Sequence, residues 1–367
     1  MVGGGPAGLA AALSAGVAGA RVILVDDQPR LGGDLLNSRV RLDGARALDW
    51  VALVRARLAS MPDVRVLTRT TAIGYYDHNY VVAVERRPRG ERLWHLRAAQ
   101  VVLATGAQER SLAFPGNDRP GVMLASAART YVNRYGVRPG RRAVVFACTD
   151  SGYEAARDLR AAGVEIAAII DPRPRAGADE HEFAEQIVTG TVTGTVADAD
   201  GVLTEVLVGE RRFEADLLAV AGGWNPVVHL FSQSQGRTVF DEEAQAFVPG
   251  VSAQAERSAG ACRGRYGIAE AIQDGYAAGC QAARPTGKRQ GGGFRVPETD
   301  ELPLRPPAAL WVVDPLSTDA FADLHRDVTV ADHAPGRRPL PDDHDHRQRG
   351  GRARLAGGVA ADRVAGA

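Results

Sequence analysis

Two patterns of apolar and polar positions take turns along this chain, and they recur in the same order. Short unbroken apolar runs ending in an acid or a glycine read as buried parallel strands. Stretches with apolar residues three and four apart read as the helices between them. The first series runs from a small-residue helix through Leu9–Leu13 to a strand over Arg21–Val25 tipped by Asp26. An amphipathic helix over Trp50–Ser60 follows, with Val51, Leu53, Val54 and Leu58 inward, and then a strand at Val64–Leu67. Tyr80–Glu85 and Arg92–Leu96 form a hairpin, and Val101–Ala107 is an apolar strand whose end carries Thr105-Gly106. The second series repeats this order about 116 residues later. It has a strand at Ala143–Phe146, a helix at Ser151–Ala162, an acid-tipped strand at Glu165–Asp171 and a hairpin of Val202–Val208 with Arg212–Phe213. It closes on the apolar run Asp216–Trp224. Such a repeat predicts two related α/β domains, the second inserted in the first. Residues 249–283 return to the first domain through a helix at Tyr266–Ala282, with Ile268, Ala271, Ile272 and Tyr276 on one face.

Chemistry enters at the front of the chain. Gly3-Gly4-Gly5-Pro6-Ala7-Gly8 fits G-x-G-x-x-G, stands directly before the first helix, and is followed eighteen residues past Gly8 by Asp26. Gly3 allows the tight turn, Gly5 lets backbone approach a pyrophosphate, and Gly8 lets helix and sheet come close. The helix start offers N–H groups and a positive dipole end to phosphates, while Asp26 is placed to accept hydrogen bonds from a ribose. Gln28-Pro29-Arg30-Leu31-Gly32-Gly33 supplies a second glycine turn near the same ligand. The strand leading into the first turn is reduced to Met1 and Val2, so the chain is expected to begin inside its own first element. In the second series the glycine positions hold Ala147, Thr149 and Gly152, which predicts the same architecture with nucleotide binding lost or altered.

Composition narrows the function classes. With 367 residues, 45% of them hydrophobic, the chain can bury two cores. Its 44 basic and 44 acidic residues cancel, which leaves no electrostatic footprint for nucleic acid or an anionic membrane. No apolar run spans a bilayer and no signal peptide precedes the glycine turn, so a cytoplasmic location is expected. Cys148, Cys262 and Cys280 make neither a redox pair nor a ligand set, and they read as small buried hydrophobes. Neither a catalytic constellation nor a metal site is expected. His229, beside Pro226 and an apolar run, reads as a packed or hydrogen-bonded histidine, and Asp342–His346 as a solvated stretch. Past Ala331 the chain lacks aromatic residues and is rich in Arg, Gly and Ala, the signature of a disordered tail.

Three longer stretches carry a resemblance. Phe114–Tyr131, Gly222–Gln233 and Ala320–Thr329 are similar to segments of the alpha subunit of heterotetrameric sarcosine oxidase. The resemblance covers residues 1 to about 330 and implies two Rossmann-like dinucleotide-binding domains in a glutathione-reductase-like FAD/NAD(P)-binding fold. Residues 1–116 plus 236–290 would form the first domain, and 117–235 the inserted one with its degenerate motif. Residues 291–330 would be a linker with an apolar anchor at Leu310–Val313, and 331–367 the tail. The resemblance further implies NAD (alternatively FAD) in the N-terminal site, and FMN at an interface with a beta subunit that oxidises sarcosine. Smaller subunits complete the implied assembly. The candidate cofactor-binding residues are Gly3, Gly4, Gly5, Pro6, Ala7, Gly8, Asp26, Asp27, Gln28, Gly32, Gly33, Thr105 and Gly106. Against that family, the folate-binding C-terminal domain and the region before the glycine turn are expected to be missing here, and the Arg/Gly/Ala tail suggests a reading-frame change. Ala261 stands where FAD-holding relatives of this fold carry an acid. Two other readings stay open: a self-contained FAD-dependent NAD(P)H oxidoreductase, and a non-catalytic nucleotide-binding remnant.

Overall fold

The computed structural model describes residues 1–174, 182–286, 295–301, 303–314, 320–323 and 328–333. The chain divides into two compact units. The first comprises Met1–Gln108 and Trp224–Leu304, and the second Glu109–Gly223 and the chain from Arg305 onward. Of the expected tail only 331–333 are described, within the 3-10 turn Val330–His333, while its remainder, including the aspartate–histidine stretch at 342–346, lies outside the described residues, as do Gly291–Gly293.

In the first unit, Val22–Val25 pairs in parallel with Val64–Leu67, and Val101–Leu103 pairs in parallel with Glu256–Ser258. Val2 joins the two ladders, bridged in parallel to both Val25 and Leu103. Its N–H donates to the Val102 carbonyl at 2.9 Å, its carbonyl accepts from Ala104 at 2.8 Å, and Gly3 donates to Val25 at 2.8 Å. Val2 therefore supplies the middle strand position. Behind it, the helix Pro6–Val17 opens with Pro at its first turn, where the missing N–H costs nothing. Its residues from Ala7 to Ala12 are all buried. Because these side chains are small, the return helix Ile268–Ala283 packs on it almost backbone to backbone. A Cβ at Gly275 would lie 2.0 Å from the Ala7 carbonyl oxygen, and one at Gly279 2.1 Å from Ser14 Oγ.

The helix expected over Trp50–Ser60 spans Ala47–Ala59 and buries Val51, Val54 and Leu58. Leu53, expected inward, is instead 69% exposed. At 100° per residue it lies on the far side of the helix from the stripe that Val51, Val54 and Leu58 define. The expected hairpin is the second half of a three-stranded antiparallel sheet, Thr70–Tyr76, Tyr80–Arg87 and Gly90–Arg97. Its first strand escapes pattern reading because the register slips between Ala72 and Gly74, which breaks the alternation.

The second unit holds a five-stranded parallel sheet ordered Val122–Leu124, Leu217–Ala221, Arg142–Ala147, Glu165–Asp171, Ile187–Thr189. Ala143–Ala147 and Leu217–Ala221 are buried throughout, as parallel strands covered on both faces must be. The helix Ser151–Ala161 crosses between two of them. Here too the hairpin gains a strand, Gly194–Ala197, and its register slips between Val196 and Ala197. The apolar anchor docks on this unit: Val312 bridges Ala113 in parallel and Val313 is buried. Among the described residues, no helix is long and apolar enough to cross a membrane.

Candidate dinucleotide site

The three glycines of the first turn have three distinct surroundings. Gly3 adopts φ +99°, and a Cβ there would lie 2.1 Å from the Ala104 carbonyl oxygen. A Cβ on Gly8 would lie 1.8 Å from the Gly3 carbonyl oxygen. Both positions exclude a side chain for internal reasons. Gly5 differs: its φ is −76°, which any residue adopts, and a Cβ would meet nothing nearer than Gly33 Cα at 3.7 Å. Among the described residues, nothing else comes within 4 Å of that position, which leaves room at Gly5. The first helical bond runs from Leu9 N–H to the Gly5 carbonyl, so the N–H groups of the helix start ahead of Leu9 have no helical acceptors.

Gly32 and Gly33 form the opposite wall. Gly32 N–H donates to the Gly4 carbonyl at 2.8 Å, and a Cβ on Gly33, at φ +55°, would stand 2.8 Å from Gly5 Cα. Asp26, buried at its strand tip, ties the two turns together. Its Oδ2 accepts the Gly4 N–H at 2.5 Å and its Oδ1 the Gln28 N–H at 2.8 Å. Burial raises the Asp26 pKa above the usual carboxylate range, against the pull of those two backbone donors. Each oxygen keeps a further lone pair for an outside hydroxyl.

Thr105 and Gly106 continue from the strand next to Val2. Thr105 Oγ1 donates to the Val227 carbonyl at 2.7 Å, and Val227 N–H donates to the Gly106 carbonyl at 2.9 Å. Gly106 has φ +77° and open space where a side chain would point. Gly3, Gly4, Gly5, Pro6, Ala7, Gly8, Asp26, Gly32 and Gly33 thus gather at the carboxyl end of one parallel sheet, with Thr105 and Gly106 at the end of the adjoining strand. Asp27 and Gln28 are exposed, and Asp27 touches only the Gln28 side-chain amide, at 3.3 Å, among the bonds described.

Two contributors were not picked out from sequence. Leu31 presses on Gly4, whose Cβ would lie 2.5 Å from its Cδ2. Asp274, on the return helix, accepts the Gly260 N–H at 2.9 Å and pairs with Arg263 at 2.8 Å. Gly260 itself, at φ +76°, packs where a Cβ would lie 2.6 Å from that of Ala7. Its neighbour Ala261 offers no carboxylate.

His229, expected to be packed or hydrogen-bonded, is exposed rather than packed, at the first position of the five-residue helix His229–Gln233. The apolar run that follows it turns inward through Phe231 instead. Cys148 and Cys262 are buried and Cys280 half-buried, and all three are free. Burial pushes the Cys148 thiol up to about 12 and raises that of Cys262. No group of metal-ligating side chains occurs among the described residues.

Comparison with known proteins places this geometry. The chain is 43% identical over 365 residues to sarcosine oxidase subunit alpha of Corynebacterium sp. strain P-1, an alignment covering 90% of this chain and 37% of that protein. It thus spans a little over a third of that relative's length. Among solved structures, L-proline dehydrogenase from P. horikoshii superposes with a TM-score of 0.62 at 21% identity, covering 79% of this chain and 55% of that one. Thioredoxin reductase from T. acidophilum superposes at 0.59 with 19% identity, covering 78% and 97%. These two likenesses establish the fold. Family and fold both support a dinucleotide cofactor. The family model for pyridine nucleotide-disulphide oxidoreductases matches residues 1–275, the stretch that carries the glycine turn, Asp26 and both parallel sheets, and the chain belongs to that family.

Proposed function

We propose that this chain is the nucleotide-holding subunit of a sarcosine oxidase-like flavoenzyme and that NAD occupies the glycine turn of its first unit. One observation carries the reading: among the described residues, a Cβ at Gly5 would have only the backbone of Gly33 within 4 Å, at 3.7 Å, while Gly3 and Gly8 on either side are wedged against backbone. A diphosphate fits such a cradle because it needs backbone approach and N–H donors rather than side chains. In this reading the start of the helix Pro6–Val17 binds the diphosphate and Asp26 accepts from a ribose hydroxyl. Gly32, Gly33, Thr105 and Gly106 line the rest, with Asp27 and Gln28 at the adenosine end. Bound there, the dinucleotide supplies a nicotinamide ring. Ala261 favours NAD over FAD, because no carboxylate is offered toward a ribityl chain.

The substrate follows from the similarity to sarcosine oxidase alpha subunits. Sarcosine is oxidised in a partner beta subunit, with FMN at the interface between the two and smaller subunits completing a cytoplasmic complex. Burial of Cys148 and Cys262 disfavours self-contained disulphide chemistry, since it leaves only Cys280 partly accessible.

Co-expression with a beta-like subunit, followed by mass spectrometry of nucleotides released on denaturation, tests the proposal. The expected result is one NAD per chain, together with sarcosine-dependent hydrogen peroxide production. A folded complex that releases no adenine dinucleotide overturns it, and release of FAD from this subunit corrects the choice of nucleotide.

A further inference from the structure

The second unit repeats the βαβ architecture, but its turn is filled from within. Ala147 and Thr149 stand at the first two glycine positions, and Gly152 packs against Ala147, its Cβ position 2.7 Å from that of the alanine. Next comes Asp150, a buried carboxylate at the cap of the helix Ser151–Ala161, the place where a pyrophosphate would bind. Its partners come from a distant segment. Arg305 N–H donates to Asp150 Oδ2 at 2.6 Å, and the Arg305 guanidinium reaches Oδ1 through Nη2 at 2.7 Å and Nε at 2.9 Å.

The strand-tip acid is engaged in the same way. Asp171 accepts from Arg173 Nη2 at 2.9 Å and Nε at 3.1 Å, and from the Tyr153 hydroxyl at 2.9 Å. Arg173 Nη2 also lies 2.9 Å from Asp150 Oδ1, and its Nη1 donates to the Pro306 carbonyl at 3.3 Å. Two carboxylates and two guanidiniums thus form a neutral lattice. The segment that brings Arg305 continues across the ends of the sheet. Ala308 N–H donates to the Cys148 carbonyl at 2.8 Å, Trp311 lies under the Arg110 guanidinium at 5.0 Å, and Val313 is buried in the core.

We infer that the segment Arg305–Val313 is a built-in occupant of the second unit's nucleotide cleft, latched by Arg305 on Asp150. The unit therefore takes no nicotinamide nucleotide. Three independent features agree. Side chains replace the glycines, a carboxylate sits where an anion would have to enter, and the chain's own backbone uses the Cys148 carbonyl at the strand end. An external NADH then has no docking place in this unit, and electrons from one cannot enter the protein here. This holds whichever dinucleotide fills the first unit.

Hydrogen–deuterium exchange on the full chain, with NADH as the probe, tests the latch. In wild type, millimolar NADH leaves exchange in peptides covering 145–155 and 303–313 unchanged. Arg305→Ala speeds exchange in both by about tenfold or more, with Ala308 N–H among the amides released, and leaves the peptide over the first glycine turn unaffected. Arg305→Lys restores part of the protection. Should Arg305→Ala fail to fold, Asp150→Asn, which keeps the side-chain size, is expected to loosen the same two segments. Protection of 145–155 by NADH in wild type overturns the inference, as does unchanged exchange at 303–313 in the variant that folds. Nucleotide released from the same sample reports the first unit separately, so its absence counts against the function proposed above and not against the latch.

Discussion

Replacing Gly5 by alanine separates binding from folding, because the structure assigns the two jobs to different glycines. The new methyl group points into the space a diphosphate would use, and its nearest protein atom is Gly33 Cα at 3.7 Å, an ordinary van der Waals distance. The backbone there, at φ −76° and ψ −171°, suits alanine. Restricting the unfolded chain stabilises by about 0.4–1 kcal/mol, and exchanging glycine for alanine at a helix N-cap costs a similar amount. The net effect on stability is thus close to zero, a Tm shift within about 3 °C. The ligand loses more. Displacing one or two charge-assisted hydrogen bonds between backbone N–H and phosphate costs on the order of 3 kcal/mol, roughly a hundredfold in affinity. Gly8→Ala is the contrasting control. Its Cβ would stand 1.8 Å from the Gly3 carbonyl oxygen, so main chain must move and the Tm falls by well over about 5 °C. The assay is nucleotide stoichiometry by mass spectrometry of released ligand, beside thermal unfolding. Gly5→Ala with full nucleotide occupancy and an unchanged Tm would refute the backbone-cradle reasoning.

Glu109 gives a pH signature. Burial pushes its carboxyl up to about 7, against hydrogen bonds from Ser126 and Ser151 and the charge of Arg129. The native state therefore keeps a proton that the unfolded chain loses near 4.5, and stability from this group declines as pH rises between those values, by roughly 3 kcal/mol. Denaturant unfolding at pH 5 and 7.5 checks this, and Glu109→Gln is expected to flatten that decline; an equally steep fall in the variant assigns it elsewhere. Gly279→Ala, whose Cβ would lie 2.1 Å from Ser14 Oγ and 2.2 Å from the Ala11 carbonyl oxygen, should lower Tm markedly by prying the two helices apart. An unshifted melting curve contradicts the close packing. Finally, Cys148 and Cys262 should resist alkylation at pH 8 until the chain unfolds, since both thiols are buried and raised. Rapid labelling of either in the native protein counts against their placement.

Much of this architecture is legible in the residues because local signals agree with the tertiary outcome. The glycine turn, the small-residue helix and the acid at Asp26 each have one economical physical reading, and the structure brings them to one sheet end. The losses have equally local causes. Thr70–Tyr76 and Gly194–Ala197 hide because a register slip interrupts their alternation. Leu53 has the apolar character of an inward residue, but the helical period puts it outside. The lattice around Asp150 was invisible for a different reason. Arg305 lies 155 positions from its partner, and nothing in either neighbourhood announces the pairing. The second turn could be seen to lack glycines, but not to be filled by the chain itself.

The interleaved connectivity has a consequence for biosynthesis. Ser14 donates to the carbonyl of Tyr276, 262 positions downstream, so the helix that begins at Pro6 meets its neighbour only when nearly the whole of both units has been made. At ribosomal speeds of about 5–20 residues per second, that interval is on the order of tens of seconds. Throughout it the alanine-rich flank of a nascent helix waits uncovered, while residues 109–223 emerge as a continuous block able to collapse first. Order of synthesis and order of completion therefore run in opposite directions for this pair of helices, and the one translated first is among the last to become native.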